Sequence, residues 1–171
     1  MFRELKKNRQ LMPAAAVDAV LERGSNGVLA CLGDDGYPYA VPLNYVYCDG
    51  KIYVHSAKEG HKIDAVAGYP KVSFAVVDED TILSDKYTSL FRSVIAFGTA
   101  RIVDGDERAR AFDAMVEKYS GDRPEEEKRN IVAHCEKSHV LAIDIEHITG
   151  KEAGKYARMR EAGEEIPPPA K

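Results

Sequence analysis

Cysteine is scarce in this sequence, tryptophan is absent, and no stretch stays apolar for long. The three cysteines, Cys31, Cys48 and Cys135, are odd in number and form no Cys-x-x-Cys pair. That argues against a disulfide scaffold and favours a reducing cytoplasm. Cationic charge is also in deficit, with 24 Lys and Arg against 28 Asp and Glu and a formal net charge of -4, so no broad nucleic-acid surface is expected. The basic start, RELKKNRQ, is followed by Asp18 and Glu22 rather than by a long apolar run. It therefore reads as a solvated segment, with no signal peptide and no membrane span. No internal repeat occurs, and no Gly-x-Ser-x-Gly marks a nucleophile elbow.

What is present is globular. The 171 residues are 44% hydrophobic and 30% charged, which fits one domain with a sizeable core. That domain spans residues 1–171, with a core at about 13–150 and a C-terminal tail at 151–171. Met12-Pro13 opens a first helix with Val17, Val20 and Leu21 as its apolar stripe, ended by Gly24. GVLACLG reads as a strand, DDGYP as a turn and YAVPLNYVY as a second strand, and the Asp-Gly of CDGK predicts a hairpin into KIYVHS. KVSFAVVDE is the next strand, DTILSDKYTSLF a polar loop and RSVIAFGTARIV the longest strand. Asp104-Gly105-Asp106 starts a helix with Ala109, Phe112, Met115 and Val116 on one face; RPEEEKRNIVAHC is a second, more polar helix. HVLAIDIEHITG is the last strand, and the tail reads as a frayed helix with a polyproline-like end. Six strands joined mostly by short turns, with helices at the periphery, predict an antiparallel barrel of the α+β class.

Two features point to a ligand. YAVPLNYVY is apolar on both faces apart from Asn44, so one face is expected on the core and the other on a ligand or partner chain. Pro42 within it predicts an edge or a bulge, because proline cannot donate to a ladder. A bulge frees backbone groups for a flat heteroaromatic ligand; a plain edge strand is the alternative. The second feature follows KIYVHS. Ser56 and Glu59 have the spacing of a capping box, which predicts a helix starting near Ala57. Lys58 and Lys62 add charge within a turn of that start, and His55 and His61 add donors. A helix N-terminus with such neighbours suits a phosphate; a capped and solvated helix is the competing reading.

Magnitudes constrain the ligand. Two or three charge-assisted hydrogen bonds contribute about 1.5–3 kcal/mol each, whereas micromolar binding needs about 8 kcal/mol net of association costs. The ligand should therefore also bury an aromatic body, and the two-faced strand is the place for it. Other motifs are weaker. GKEAGK, from Gly150, is too short for a phosphate loop and has Tyr156 at the hydroxyl position. His134, Cys135 and His139 have no second cluster to complete a metal site, so no metal is expected.

In order and spacing, VPLNY, HSAKEGHK, PKVSFAVV and RSVIAFG resemble the pyridoxamine 5'-phosphate oxidase-like superfamily, and within it the nitroimidazole-resistance group. The resemblance runs from about residue 24 to 151 and implies a six-stranded split β-barrel that forms a homodimer, with FMN in clefts at the subunit interface. It places Val41, Pro42, Leu43 and Asn44 along the isoalloxazine ring. His55, Ser56, Ala57, Gly60 and Lys62 fall around the ribityl phosphate, and Ser93 and Val94 on the strand lining the same cleft. The segment SDKYTSLF departs from the family pattern, so Ser84 to Leu90 receive no role. With no tryptophan and an ending EIPPPAK, the chain lacks the residues that hold a vitamin B6 substrate, and B6 oxidation is not expected. The resemblance implies an FMN-dependent oxidoreductase that reduces a small electrophile such as a nitroaromatic, using NAD(P)H or another donor. The alternative is a flavin- or haem-binding store or sensor without turnover. The place of His55 at the end of KIYVHS makes it a candidate proton source, a histidine that only bonds the phosphate or a carbonyl being the alternative.

Overall fold

The computed structural model describes residues 2–134 and 137–169, the side chain of His134 excepted. Cys135, the predicted end of the second polar helix, and the last two residues of the tail fall outside them. Seven strands form one antiparallel sheet in the order β2-β1-β5-β6-β7-β4-β3. They are β1 (Asn26–Leu32), β2 (Pro38–Asn44), β3 (Val46–Cys48), β4 (Lys51–Ser56), β5 (Lys71–Leu83), β6 (Thr88–Val103) and β7 (His139–Glu152). The helices are α1 (Ala14–Arg23), α2 (His61–Gly68), α3 (Gly105–Ser120), α4 (Glu125–His134) and α5 (Gly154–Glu161).

The antiparallel α+β class stands, and the extra strand has a local cause. YAVPLNYVY is not one strand: it breaks at Tyr45 into β2 and β3, which lie at opposite ends of the sheet order. Because these two edges are consecutive in the chain, the corner at Tyr45 closes the sheet on itself. Tyr45 is fully buried there, and its hydroxyl donates to Leu21 O at 2.8 Å. On the other side, β1 pairs with β5 only over Val28–Ala30, so the barrel splits beyond Ala30. The interior holds Leu29, Ile52, Val54, Phe74, Val94 and Ile143, closed at one end by the α1 stripe Val17, Val20 and Leu21. A second core lies outside the barrel, where Phe112 and Met115 of α3 pack on Tyr53, Val140 and Ala142.

Three predicted elements are corrected. DTILSDKYTSLF is not a loop, since β5 and β6 stay paired to Leu83↔Thr88 and turn through Ser84–Lys86, with Tyr87 at φ +48°. Its polar residues hid a strand because both faces of this arm are open: Ile82 and Tyr87 are exposed. The tail is not frayed. Tyr156 of α5 is buried against Glu79 and Arg92, and Arg160 pairs with the buried Glu152 at 2.7 Å. Finally, the helix after KIYVHS starts at His61, not near Ala57. Ser56 is held in the β4–β7 ladder opposite His139, so it is unable to cap, and Gly60 turns the chain at φ +121°. No helix among the described residues is long and apolar enough to cross a membrane.

Candidate functional site

β2 pairs with β1 alone, and Pro42 sits in register opposite Val28 without a bulge. Proline is tolerated here because an edge strand leaves one side of its backbone unpaired. Strand alternation then divides the predicted ring residues. Val41 and Leu43 pack on the barrel core, whereas Pro42 and Asn44 stand on the exposed face. Of the four, Pro42 and Asn44 alone therefore offer side chains to anything lying on that face.

Asn44 and His55 come together in a cavity of about 390 Å³ closed by Phe112, Met115 and Tyr119 of α3 and Ile131 of α4. Asn44 is not a buried amide seeking a partner. Its Nδ2 donates to Ser25 O at 2.9 Å, and the Tyr119 hydroxyl donates to the same carbonyl at 2.8 Å. The Tyr119 hydroxyl also accepts from the Tyr45 N–H at 3.1 Å, which pins the Tyr45 corner to the end of α3. The His55 side chain is exposed and makes no hydrogen bond or ion pair among the described residues, so its imidazole is free to meet a ligand. Tyr119 and Ile131 escaped the sequence reading. Tyr119 continues the Phe112, Met115, Val116 spacing by one step and was legible as the same helix face.

His55 and Ser56 point to opposite sides of β4. Ser56 is 4% exposed, and its hydroxyl is buried with no hydrogen-bond partner. Just beyond it, Ala57 to Gly60 form an exposed loop leading into α2, and a β-carbon on Gly60 would meet nothing. Lys62, half-buried on the first turn of α2, has no ion-pair partner among the described residues, and burial lowers its pKa. Cys31 lies near enough for Lys62 to oppose the upward push that burial gives its thiol. His61 is engaged elsewhere, stacked on Tyr39 at 4.0 Å and facing Asp34 at 3.8 Å. Lys58 is exposed. An orphaned hydroxyl, an unneutralised ammonium and an open glycine turn at a helix start all lack one thing, an oxyanion with several acceptor atoms. A phosphate monoester fits them.

Ser93 and Val94 do not join this group. Val94 is 0% exposed within the core and lines no cleft; alternation sends Ser93 outward and Val94 inward. Ser93 lies opposite Val77 on β5, and β1 separates β5 from β2. At about 4.8 Å per strand, that puts it roughly 14 Å from the Asn44 end of β2. Among the described residues no group of three or more His, Cys, Asp or Glu converges on a metal site, and His139 stands half-buried on β7.

Fold and site together define a class: a split antiparallel barrel with unpartnered polar groups around the β4–α2 turn, a candidate phosphate notch, and an amphipathic cleft under α3. The chain belongs to the pyridoxamine 5'-phosphate oxidase family, whose sequence profile matches residues 13–152. No curated protein sequence matches it significantly. Among solved structures it is similar to a conserved hypothetical protein from Mycobacterium tuberculosis, at 24% identity over 98% of both chains with a TM-score of 0.75. It also resembles a candidate 5-nitroimidazole antibiotic resistance protein from Bacteroides thetaiotaomicron, at 18% identity over 83% of this chain and 86% of that one, TM-score 0.70. An FAD-binding protein from Mesorhizobium loti shares 26% identity over 84% of this chain and 96% of its own, with a TM-score of 0.56.

Proposed function

We propose that the protein is a flavoprotein oxidoreductase that binds FMN and reduces a small electrophile such as a nitroaromatic. The buried, unpartnered Ser56 hydroxyl at the end of β4, six residues before the unpaired Lys62, is the observation that carries this reading. Ser56, Lys62 and the Ala57–Gly60 backbone would hold the phosphate, and the exposed Pro42–Asn44 face of β2 would bear one side of the ring. Flavin, when bound, supplies hydride or electron transfer. The chain's own part is to orient the acceptor in the cleft under α3, exclude water with Phe112, Met115 and Ile131, and offer a proton from His55. The flavin-binding relative from Mesorhizobium loti supports the cofactor class, and the Bacteroides relative the substrate class.

The reading includes a homodimer. Val77, Ile95 and Phe97 are exposed apolar residues of β5 and β6 on the face that carries Ser93, and a second copy of the chain is the natural cover for them. It would also bring a Ser93 toward the cleft that its own chain leaves too far away. A cytoplasmic setting accords with the free thiols of Cys31 and Cys48. The test is the absorbance spectrum of the purified protein, followed by NAD(P)H and then nitrobenzene under anaerobic conditions. A bound flavin that bleaches and recovers supports the reading. A flavin that never turns over leaves a store or sensor, and a protein that takes up no FMN overturns it. Light scattering that returns 18.9 kDa for the FMN-loaded protein would sink the dimer.

A further inference from the structure

The N-terminal segment and α5 are brought together because both are tied to the end of β7. Leu11 bridges Lys151, and the Met12 N–H donates to Gly150 O at 2.9 Å. This lays the short turn Asn8–Gln10 along α5. Between them is a cavity of about 480 Å³ lined by Lys6, Lys7, Arg9, Gln10, Arg158 and Glu161. Four cations thus face one carboxylate in a chain whose net charge is -4. None of the four side chains makes an ion pair or hydrogen bond among the described residues. Like charges gathered without partners repel, and a polyanion relieves that repulsion.

A second observation is independent of charge. The Gln10 carboxamide oxygen is buried with no partner. A β-carbon on Gly154 would lie 3.6 Å from both Arg158 Nη1 and Gln10 Nε2, so guanidinium and amide converge where α5 opens. Ala153, at the N-cap, provides no side-chain cap for the first amides of that helix. An orphaned carbonyl oxygen needs a donor, and the fully ionised phosphates of a nucleotide have none to give, whereas its sugar hydroxyls and base N–H groups do. The ligand therefore carries both phosphate and hydroxyl or N–H groups, and the cavity falls within the size range of small-molecule sites.

We propose that this cavity binds a nucleotide, its phosphates on Lys7, Arg9 and Arg158 and its sugar or base on Gln10. The inference does not rest on the flavin reading, because the residues belong to the N-terminal segment and α5 rather than to β4 and α2. Calorimetric titration of the full chain at low salt, with ADP, adenosine and inorganic phosphate as probes, tests it. ADP should bind and adenosine should not. Arg158→Gln and Arg9→Gln, both at exposed positions, should each weaken ADP binding about tenfold or more with no change in melting temperature. Gln10→Leu should weaken ADP binding by a larger factor than it weakens inorganic phosphate. Lys62→Ala should leave ADP binding unaltered, which separates this cavity from the flavin-phosphate notch. Absence of ADP binding, binding indifferent to Arg158 and Arg9, or equal affinities for ADP and inorganic phosphate would each overturn the proposal.

Discussion

The hydroxyl of Tyr156 donates to Glu79 Oε1 at 2.7 Å, and both residues are buried. One bond therefore joins the C-terminal helix to the middle of the β5–β6 hairpin. Arg92 completes the arrangement, donating to Glu79 Oε2 at 2.8 Å and to Pro167 O at 3.0 Å. Burial and Glu79 push the Tyr156 phenol up to about 12, so it stays a donor at neutral pH. In Tyr156→Phe, Glu79 Oε1 keeps only Thr81 at 3.4 Å. The loss should be about 1–3 kcal/mol, seen as a melting temperature lower by several degrees. An unchanged melting temperature would mean that the tail does not dock in solution.

Lys62→Ala should weaken FMN binding by about one to two decades, the value of one charge-assisted contact. Lys58→Ala should change it little, since that ammonium is exposed. Ser56→Ala removes a hydroxyl that the protein itself leaves unpartnered, so the apo protein should be no less stable while flavin affinity drops. Fluorescence titration of FMN checks all three. Equal, negligible effects would reduce the notch to a solvated helix start.

His55→Gln keeps a hydrogen-bonding group in the cleft and removes the imidazole proposed to donate the proton. FMN should stay bound at its parent affinity, while the rate of nitroaromatic reduction falls. Residual activity that merely tracks flavin occupancy would make His55 part of the dock.

Acid stability offers a check far from the site. Arg101 holds the Asp144 and Glu107 carboxyls below their ordinary values of 3.8 and 4.5, chiefly by hydrogen bonds to each. Their pKa is lower folded than unfolded, so the unfolded chain binds more protons. This contribution is complete above the ordinary values and is lost as pH falls through the folded ones. Arg101→Met should therefore lower the melting temperature most near neutral pH, with the gap to the parent protein closing in strong acid. A gap independent of pH would contradict the assignment.

Legibility followed the range of each signal. The α1 stripe, the Asp-Gly hairpin and the strand at KVSFAVVDE are local patterns, and each appeared where the sequence put it. The Ser56–Glu59 spacing was equally local and misled, because pairing of Ser56 with His139, far along the chain, outcompeted the cap. Pro42 correctly announced an edge, yet no bulge formed, since a proline on the unpaired side of β2 disturbs no ladder. In the same way Ser93 and Val94 were adjacent in sequence but on opposite faces of β6.

By itself the sequence determined the helices α1 and α3, most of the strands, and that cationic and hydroxyl groups cluster between β4 and α2. These are properties of neighbouring residues, set by propensity and by the periods of strand and helix. The tertiary structure alone decided that the Ser56 hydroxyl is left buried without a partner, that Asn44 and His55 share a cleft under α3, and that the tail is docked through Tyr156. Each of those depends on which distant strand or helix takes up a group's hydrogen bonds and covers its surface, and closure of the barrel at Tyr45 settles that for the whole chain at once.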